Sequence, residues 1–299
     1  MNDNKILIRG TGALACLFAA RLAAAGIQVN LLGTWGKGLK TLSKQGVSLI
    51  EANGNHRIYP VIVSCNPKDF LESKFALFLV KSYQTKDAGK QLAECLSEDG
   101  IALTLQNGIG NQEKLSNILG RKRVAVGVTS IGATLLGPGR VREGGTGIIQ
   151  IGKHPKLDTI IEWLKNAGFE IHIEDDINSL LWSKLILNAA INPVSALIKV
   201  TNGELINRKT ARDLLIAAIQ ESKEVADALG ISTSYSDLVA ALYNTLQLTA
   251  NNRSSMLQDI ERGAPTEIDA ICGEIVKNGE QVGTPTPINR TLWQLVKAM

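Results

Sequence analysis

The chain has 299 residues, 44% hydrophobic and 20% charged, with a formal net charge of +4. This composition argues against a disordered polypeptide, and the length allows two ordinary domains or one large one, either with a proper core. The small positive excess contains no long Lys/Arg block, so no nucleic-acid partner is expected, while an anionic ligand is well suited.

The first element is a strand, Lys5 to Arg9, followed at once by Gly10-Thr11-Gly12-Ala13-Leu14-Ala15 and an alanine-rich helix predicted over 13–25. A strand, a glycine turn and a helix in this order form the phosphate-binding element of a dinucleotide fold. Gly10 permits the tight turn, Gly12 removes a side chain where a pyrophosphate approaches the backbone, and Ala15 keeps helix and strand close. The helix N-terminus then offers unpaired N–H groups and its positive dipole end. Residues 13–26 are apolar enough to mimic a signal peptide, but Arg21 interrupts them and the preceding strand explains them as a Rossmann helix. No other stretch is expected to reach membrane-spanning length, so a soluble, cytoplasmic protein without a membrane partner is expected.

The second strand, 28–32, ends in Leu32-Gly33-Thr34-Trp35-Gly36-Lys37, and no acid follows before Glu51. An acid here would bind the ribose 2′-hydroxyl of NADH and repel a 2′-phosphate. Its absence, with Thr34 and Lys37 at hand, favours NADPH; Lys37 and Lys40 also suit the solvated face of the helix at 37–45. Residues 47–64 read as a hairpin turned by Asn53-Gly54. Strands follow at 75–80, 101–105 and 124–128, alternating with helices at 85–96 and 111–119. The glycine-interrupted run 129–152 suggests antiparallel strands at the sheet edge, with a helix at 156–167 and a last strand at 170–173. Beyond Asp175-Asp176 the pattern is helical, strongest at 210–229, 238–250 and 266–280. The expected architecture is α/β: an N-terminal Rossmann-type dinucleotide-binding domain over 1–175, then an all-α C-terminal domain over 176–299. In such layouts the cofactor lies across the carboxyl ends of the strands and the helical domain closes the cleft.

Polar residues interrupt these elements at chemically useful places. Lys81 ends one strand and faces the expected cleft; Asn107-Gly108 ends the next, although Asn-Gly is also ordinary turn chemistry. In Trp182-Ser183-Lys184-Leu185-Ile186-Leu187-Asn188-Ala189-Ala190-Ile191-Asn192-Pro193, the spacing i, i+4, i+8 puts Lys184, Asn188 and Asn192 on one helix face. A lysine ringed by apolar residues loses hydration and gives up its proton more easily, as a general acid must. Snorkelling with backbone-tied asparagines is the plainer account. Ser255 and Asp259 share a helix face, and Pro265 or Thr266 is expected to open a helix with Glu267 in its first turn; all three types also serve as caps. His56, His154 and His172 are scattered, leaving lysine the better acid. Cys16, Cys65, Cys95 and Cys272 form no metal-ligand pattern and read as free, mostly buried thiols.

Taken together, these segments resemble the ketopantoate reductase (2-dehydropantoate 2-reductase) family over nearly the whole chain. The most specific parts are Lys-Leu-x-x-Asn-x-x-x-Asn-Pro from Lys184, and Ser-Ser-Met-Leu-Gln-Asp followed by Thr-Glu-Ile-Asp. The resemblance implies Lys184 as general acid, assisted by Glu267 near the substrate hydroxyl. It implies substrate binding by Asn107, Asn188, Asn192 and Ser255, with Lys81 lining the cofactor–substrate cleft. The implied reaction is NADPH-dependent reduction of ketopantoate to (R)-pantoate, a precursor of pantothenate and coenzyme A, by a monomer or homodimer without a metal. Two departures stand out: Ala15 replaces the third fingerprint glycine, and Gly33-Thr34-Trp35 replaces the basic residue usual after the second strand. A reductase of another 2-keto acid would share this chemistry, whereas a non-catalytic NADPH sensor would not need the lysine–asparagine face.

Overall fold

The computed structural model describes residues 4–145 and 147–299. They form two compact units: one runs to Gln106 and resumes at Asn111–Ile177, the other joins Asn107–Gly110 to Asn178–Met299.

The first is a sheet unit. Its elements in chain order are β1 (Lys5–Arg9), α1 (Ala13–Ala24), β2 (Gln28–Leu32), α2 (Gly36–Gln45), β3 (Val47–Ile50), β4 (His56–Tyr59), β5 (Ile62–Ser64), β6 (Ser73–Phe78) and α3 (Thr85–Ala93). They continue as β7 (Leu96–Thr104), α4 (Asn111–Leu119), β8 (Val124–Thr129), β9 (Ala133–Gly137), β10 (Arg140–Glu143), β11 (Ile148–Gly152), α5 (Asp158–Asn166) and β12 (Glu170–Glu174). The main sheet has the order β12-β11-β8-β7-β6-β1-β2-β5. It is parallel except where β11 meets β8. From β1 the chain first winds outward through β2 to β5, then returns to β6 on the other side of β1. This reversal makes the switch point at which doubly wound sheets bind nucleotides.

A second sheet, β4-β3-β10-β9, packs on α1. Cys16, Leu17, Phe18, Ala19, Ala20 and Leu22 of α1 are all buried. A helix covered on several sides has no polar stripe to show, which accounts for the signal-like composition of this stretch. The hairpin expected over 47–64 is real only for β3 and β4, closed through Glu51, Gly54 and Asn55. β5 instead pairs in parallel with β2. Likewise only β11 extends the main sheet edge; β9 and β10 leave it, because β10 pairs with β3, whose register no local pattern specifies. The helix expected over 85–96 ends at Ala93, since Leu96 already begins β7.

The second unit is helical: α6 (Ile177–Ile198), α7 (Asn202–Asn207), α8 (Lys209–Ala228), α9 (Leu238–Leu248), α10 (Ser255–Glu261), α11 (Cys272–Val282) and α12 (Pro287–Lys297). Contrary to expectation, α6 is long and apolar enough to cross a membrane by length and composition alone. Its apolar residues, however, are packed into the core of this unit with Leu215 and Ile219 of α8, Leu242 of α9, Ile275 of α11 and Leu292 of α12. Pro193 lies inside α6 and removes the N–H that would bond the Ala189 carbonyl. The Cys272 thiol donates to that carbonyl at 3.6 Å, and burial keeps the thiol protonated. Glu221, also buried, accepts from Ile288 N at 2.8 Å and Asn289 N at 2.7 Å, capping α12. Of the four reduced cysteines only Cys65 is exposed.

Candidate active site

The nucleotide element of the sheet unit is shaped by backbone constraints. Gly10 has φ +134°, and a Cβ there would lie 2.8 Å from the Leu79 carbonyl oxygen, so only glycine lets β1 turn this close to the end of β6. Its N–H donates to Leu32 O at 3.0 Å. Gly12 is the N-cap residue of α1 and has nothing within 4 Å of a Cβ position, so the space beyond it is open. Ala13 and Leu14 are half-buried and Ala15 fully buried. No side chain caps α1 and its first turn holds no acid. A helix start without a side-chain cap, an open face and the positive dipole end together fit a pyrophosphate.

Gly33 lies against Thr11: a Cβ would fall 2.5 Å from Thr11 Cγ2. This close approach joins the loop after β2 to the glycine turn and leaves Thr34 and Lys37 exposed beyond it. With no carboxylate from 33 to 37, nothing in the loop repels a 2′-phosphate. Lys81 stands half-buried after β6, at the start of a short 3₁₀ turn, Ser82–Gln84.

A polar network that the sequence reading did not assign fixes this end of the sheet. Gln106 Nε2 donates to Val80 O at 3.0 Å and Thr85 Oγ1 at 2.9 Å, while Thr85 Oγ1 bonds Asn111 Oδ1 at 3.1 Å. All three side chains are buried. The sequence signal was there, in polar residues packed between apolar strand ends, but their mutual pairing depends on tertiary structure.

In the helical unit, α6 carries Lys184, Asn188 and Asn192 on one face as the spacing requires. Lys184 and Asn188 are half-buried and Asn192 is buried. Desolvation pushes the Lys184 ammonium down to about 8, and the Glu267 carboxylate holds it from falling further. Glu267 is buried. It precedes a 3₁₀ turn, Ile268–Ala270, rather than sitting in the first turn of the helix expected over 266–280; α11 starts only at Cys272. The Pro265-Thr266 signal thus marks a loop that leads a carboxylate inward.

Residues 107–110 are moulded onto that turn. Asn107 Nδ2 donates to Glu267 Oε2 at 3.4 Å and Ile109 N to Ala270 O at 3.4 Å. Gly108 has φ +80°, and a Cβ there would lie 2.2 Å from Ala270 O. Lys184, Glu267 and Asn107 therefore belong to one cluster, with Asn188 and Asn192 along the same helix face. Ser255 is exposed at the start of α10. Its neighbour Ser254 caps that helix through Leu257 N at 3.1 Å and accepts from Ser195 Oγ of α6 at 2.6 Å. Asp259 is buried and ion-paired with Arg262. Among the described residues no cluster of His, Cys, Asp and Glu could hold a metal.

Family models described as ketopantoate reductase PanE/ApbA and its C-terminal domain match residues 6–156 and 176–299. The chain belongs to the ketopantoate reductase family. It is 36% identical to 2-dehydropantoate 2-reductase of Pyrococcus horikoshii, covering 98% of this chain and 97% of that one. The Archaeoglobus fulgidus enzyme of the same name is 34% identical over 100% and 99% of the two chains. A ketopantoate reductase family structure from Ralstonia eutropha superposes with TM-score 0.92 at 30% identity, covering 98% and 97%. The fold extends to D-mandelate dehydrogenase, with TM-score 0.93 at 24% identity and 98% and 97% coverage. This chain has a lysine with a lowered pKa beside a buried glutamate, and no basic side chain at 33–35.

Proposed function

We propose that this protein is an oxidoreductase that reduces 2-dehydropantoate to (R)-pantoate with NADPH, a step toward pantothenate and coenzyme A. Full-length similarity to relatives named 2-dehydropantoate 2-reductase supports the reaction and the small keto acid as substrate. The observation carrying the chemistry is the half-buried Lys184, brought to about 8 by desolvation and accompanied by Glu267. Such an ammonium is still largely protonated at neutral pH yet releases its proton far more readily than a solvated lysine, which suits a general acid.

Bound NADPH supplies the hydride that adds to the ketone carbon. Lys184 donates a proton to the oxygen as negative charge develops there, leaving a neutral amine. Glu267 steadies the ammonium and accepts from the substrate hydroxyl. Asn107 holds that carboxylate, while Asn188, Asn192 and Ser255 orient the substrate through hydrogen bonds to its polar groups. On the cofactor side, the backbone from Gly10 to Ala15 would hold the pyrophosphate, Thr34 and Lys37 the 2′-phosphate, and Lys81 and Asn107 would complete the cofactor contacts. The sheet unit serves the nucleotide; the helical unit, with Asn107–Gly110 contributed from the first half of the chain, serves the acid.

The test is NADPH oxidation with 2-dehydropantoate beside a small panel of 2-keto acids. Preferred turnover of 2-dehydropantoate supports the proposal. Preference for another acid keeps the Lys184 chemistry and changes the substrate; tight NADPH binding without turnover of any acid makes the protein a sensor.

A further inference from the structure

Arg9 is a cation in an apolar position. Side chains alternate along β1, so Arg9 shares a face with Leu7, which packs with Leu32, Phe78, Val80 and Leu92. It is only 5% exposed, at the strand position where this cluster would ordinarily take another apolar side chain. Its hydrogen-bond partners are neutral: Nη1 donates to Leu32 O at 3.0 Å and Nη2 to Gln91 Oε1 at 2.6 Å, while Nε is buried without an acceptor. Burial pulls the guanidinium down to about 10, so it stays charged at neutral pH. Such a charge is costly, and a core built for stability alone would replace it with an apolar side chain.

Its location gives the charge a use. Gly10 N and Arg9 Nη1 both donate to the Leu32 carbonyl at 3.0 Å. The guanidinium is thus one carbonyl group away from the loop that begins at Gly33 and carries Thr34. That loop has no basic residue before Lys37, and Lys37 is exposed to solvent. We propose that Arg9 is a specificity-determining residue, a buried positive charge beneath the ends of β1 and β2 that favours the adenosine 2′-phosphate of NADPH over the hydroxyl of NADH. It acts through its field, without touching the phosphate. Because low-dielectric surroundings shield it from counter-ions, its contribution persists at salt concentrations that screen Lys37.

The inference rests on the NADPH-dependent reading, and the experiment separates the two. Dissociation constants for NADPH and NADH are measured on the full chain and on Arg9→Met, Arg9→Gln and Arg9→Lys, at low and at 0.5 M (roughly three-ångström-to-five-ångström screening) salt. The proposal expects NADPH affinity to fall about tenfold in Arg9→Met with NADH affinity nearly unchanged, and expects Arg9→Lys to keep most of the preference. Arg9→Gln, which retains polar contacts without charge, should behave like Arg9→Met and serves if the latter fails to fold. Equal losses for both cofactors, or an unchanged ratio, assign Arg9 a structural role and overturn the proposal alone. A wild-type chain that prefers NADH overturns the cofactor reading and the proposal together.

Discussion

The proposed site in the sheet unit is mainly backbone, whereas the one in the helical unit is made of side chains. At Gly10–Ala15 the proposed binding surface consists of N–H groups and open space, and the residue types matter through the atoms they lack. On α6 the surface consists of an ammonium and two amides, and the residue types matter through the atoms they bring, tuned by the buried Glu267. The difference teaches how each half fails. A backbone site fails when something is added, a side-chain site when something is removed.

The sharpest test of this contrast is Lys184→Ala. Turnover should fall on the order of 10²–10⁴-fold, the usual worth of a positioned proton transfer, with NADPH affinity unchanged by titration. Near-normal kcat would remove the proton donor from α6.

Next come two additions to the glycine turn. Gly10→Ala forces a Cβ against the Leu79 carbonyl at a φ of +134°, and should cost about 1–3 kcal/mol of stability in thermal unfolding as well as nucleotide binding. Gly12→Ala meets nothing within 4 Å, so its melting temperature without cofactor should match wild type while NADPH affinity drops. If both variants lose stability equally, open space at Gly12 is not what the ligand uses.

Glu267→Gln addresses the tuning of the side-chain site. With Lys184 as the proposed general acid working protonated, kcat is expected to decline as pH rises through its pKa near 8. The Glu267 charge raises that pKa; its removal should move the alkaline limb of the pH–rate profile to lower pH. A limb that stays in place would separate Glu267 from Lys184. The smallest effect is expected of Asn107→Ala, whose 3.4 Å contact to Glu267 is long. Steady-state kinetics should show a few-fold loss in kcat/KM, within the value of a single hydrogen bond.

This contrast also explains what could be read from sequence. The glycine turn is legible because strand, turn and helix are consecutive and the constraint on each residue is local. The α6 face is legible because helical periodicity alone aligns Lys184, Asn188 and Asn192. Pairing between distant segments is not local, so β3 with β10, and β5 with β2, escaped a reading that made a single hairpin of 47–64. Glu267 was singled out, but its place in a loop depends on Ala270 meeting Gly108 some 160 residues earlier in the chain (roughly the whole contour of a domain). Arg9 passed unremarked as the polar end of an apolar strand, since nothing in five residues tells whether such an end is buried.

Residues 107–110 carry one more consequence. They are a short piece of the helical unit supplied from inside the sheet half of the chain. Swapping helical halves between relatives by a single crossover near residue 176 would therefore pair the incoming Ala270 turn with a foreign partner loop. Gly108 leaves no room there for a side chain, so the two pieces have to be inherited together. Modular exchange of this protein requires three cuts, and a chimaera made with one is expected to carry a proton donor whose partner carboxylate is misplaced.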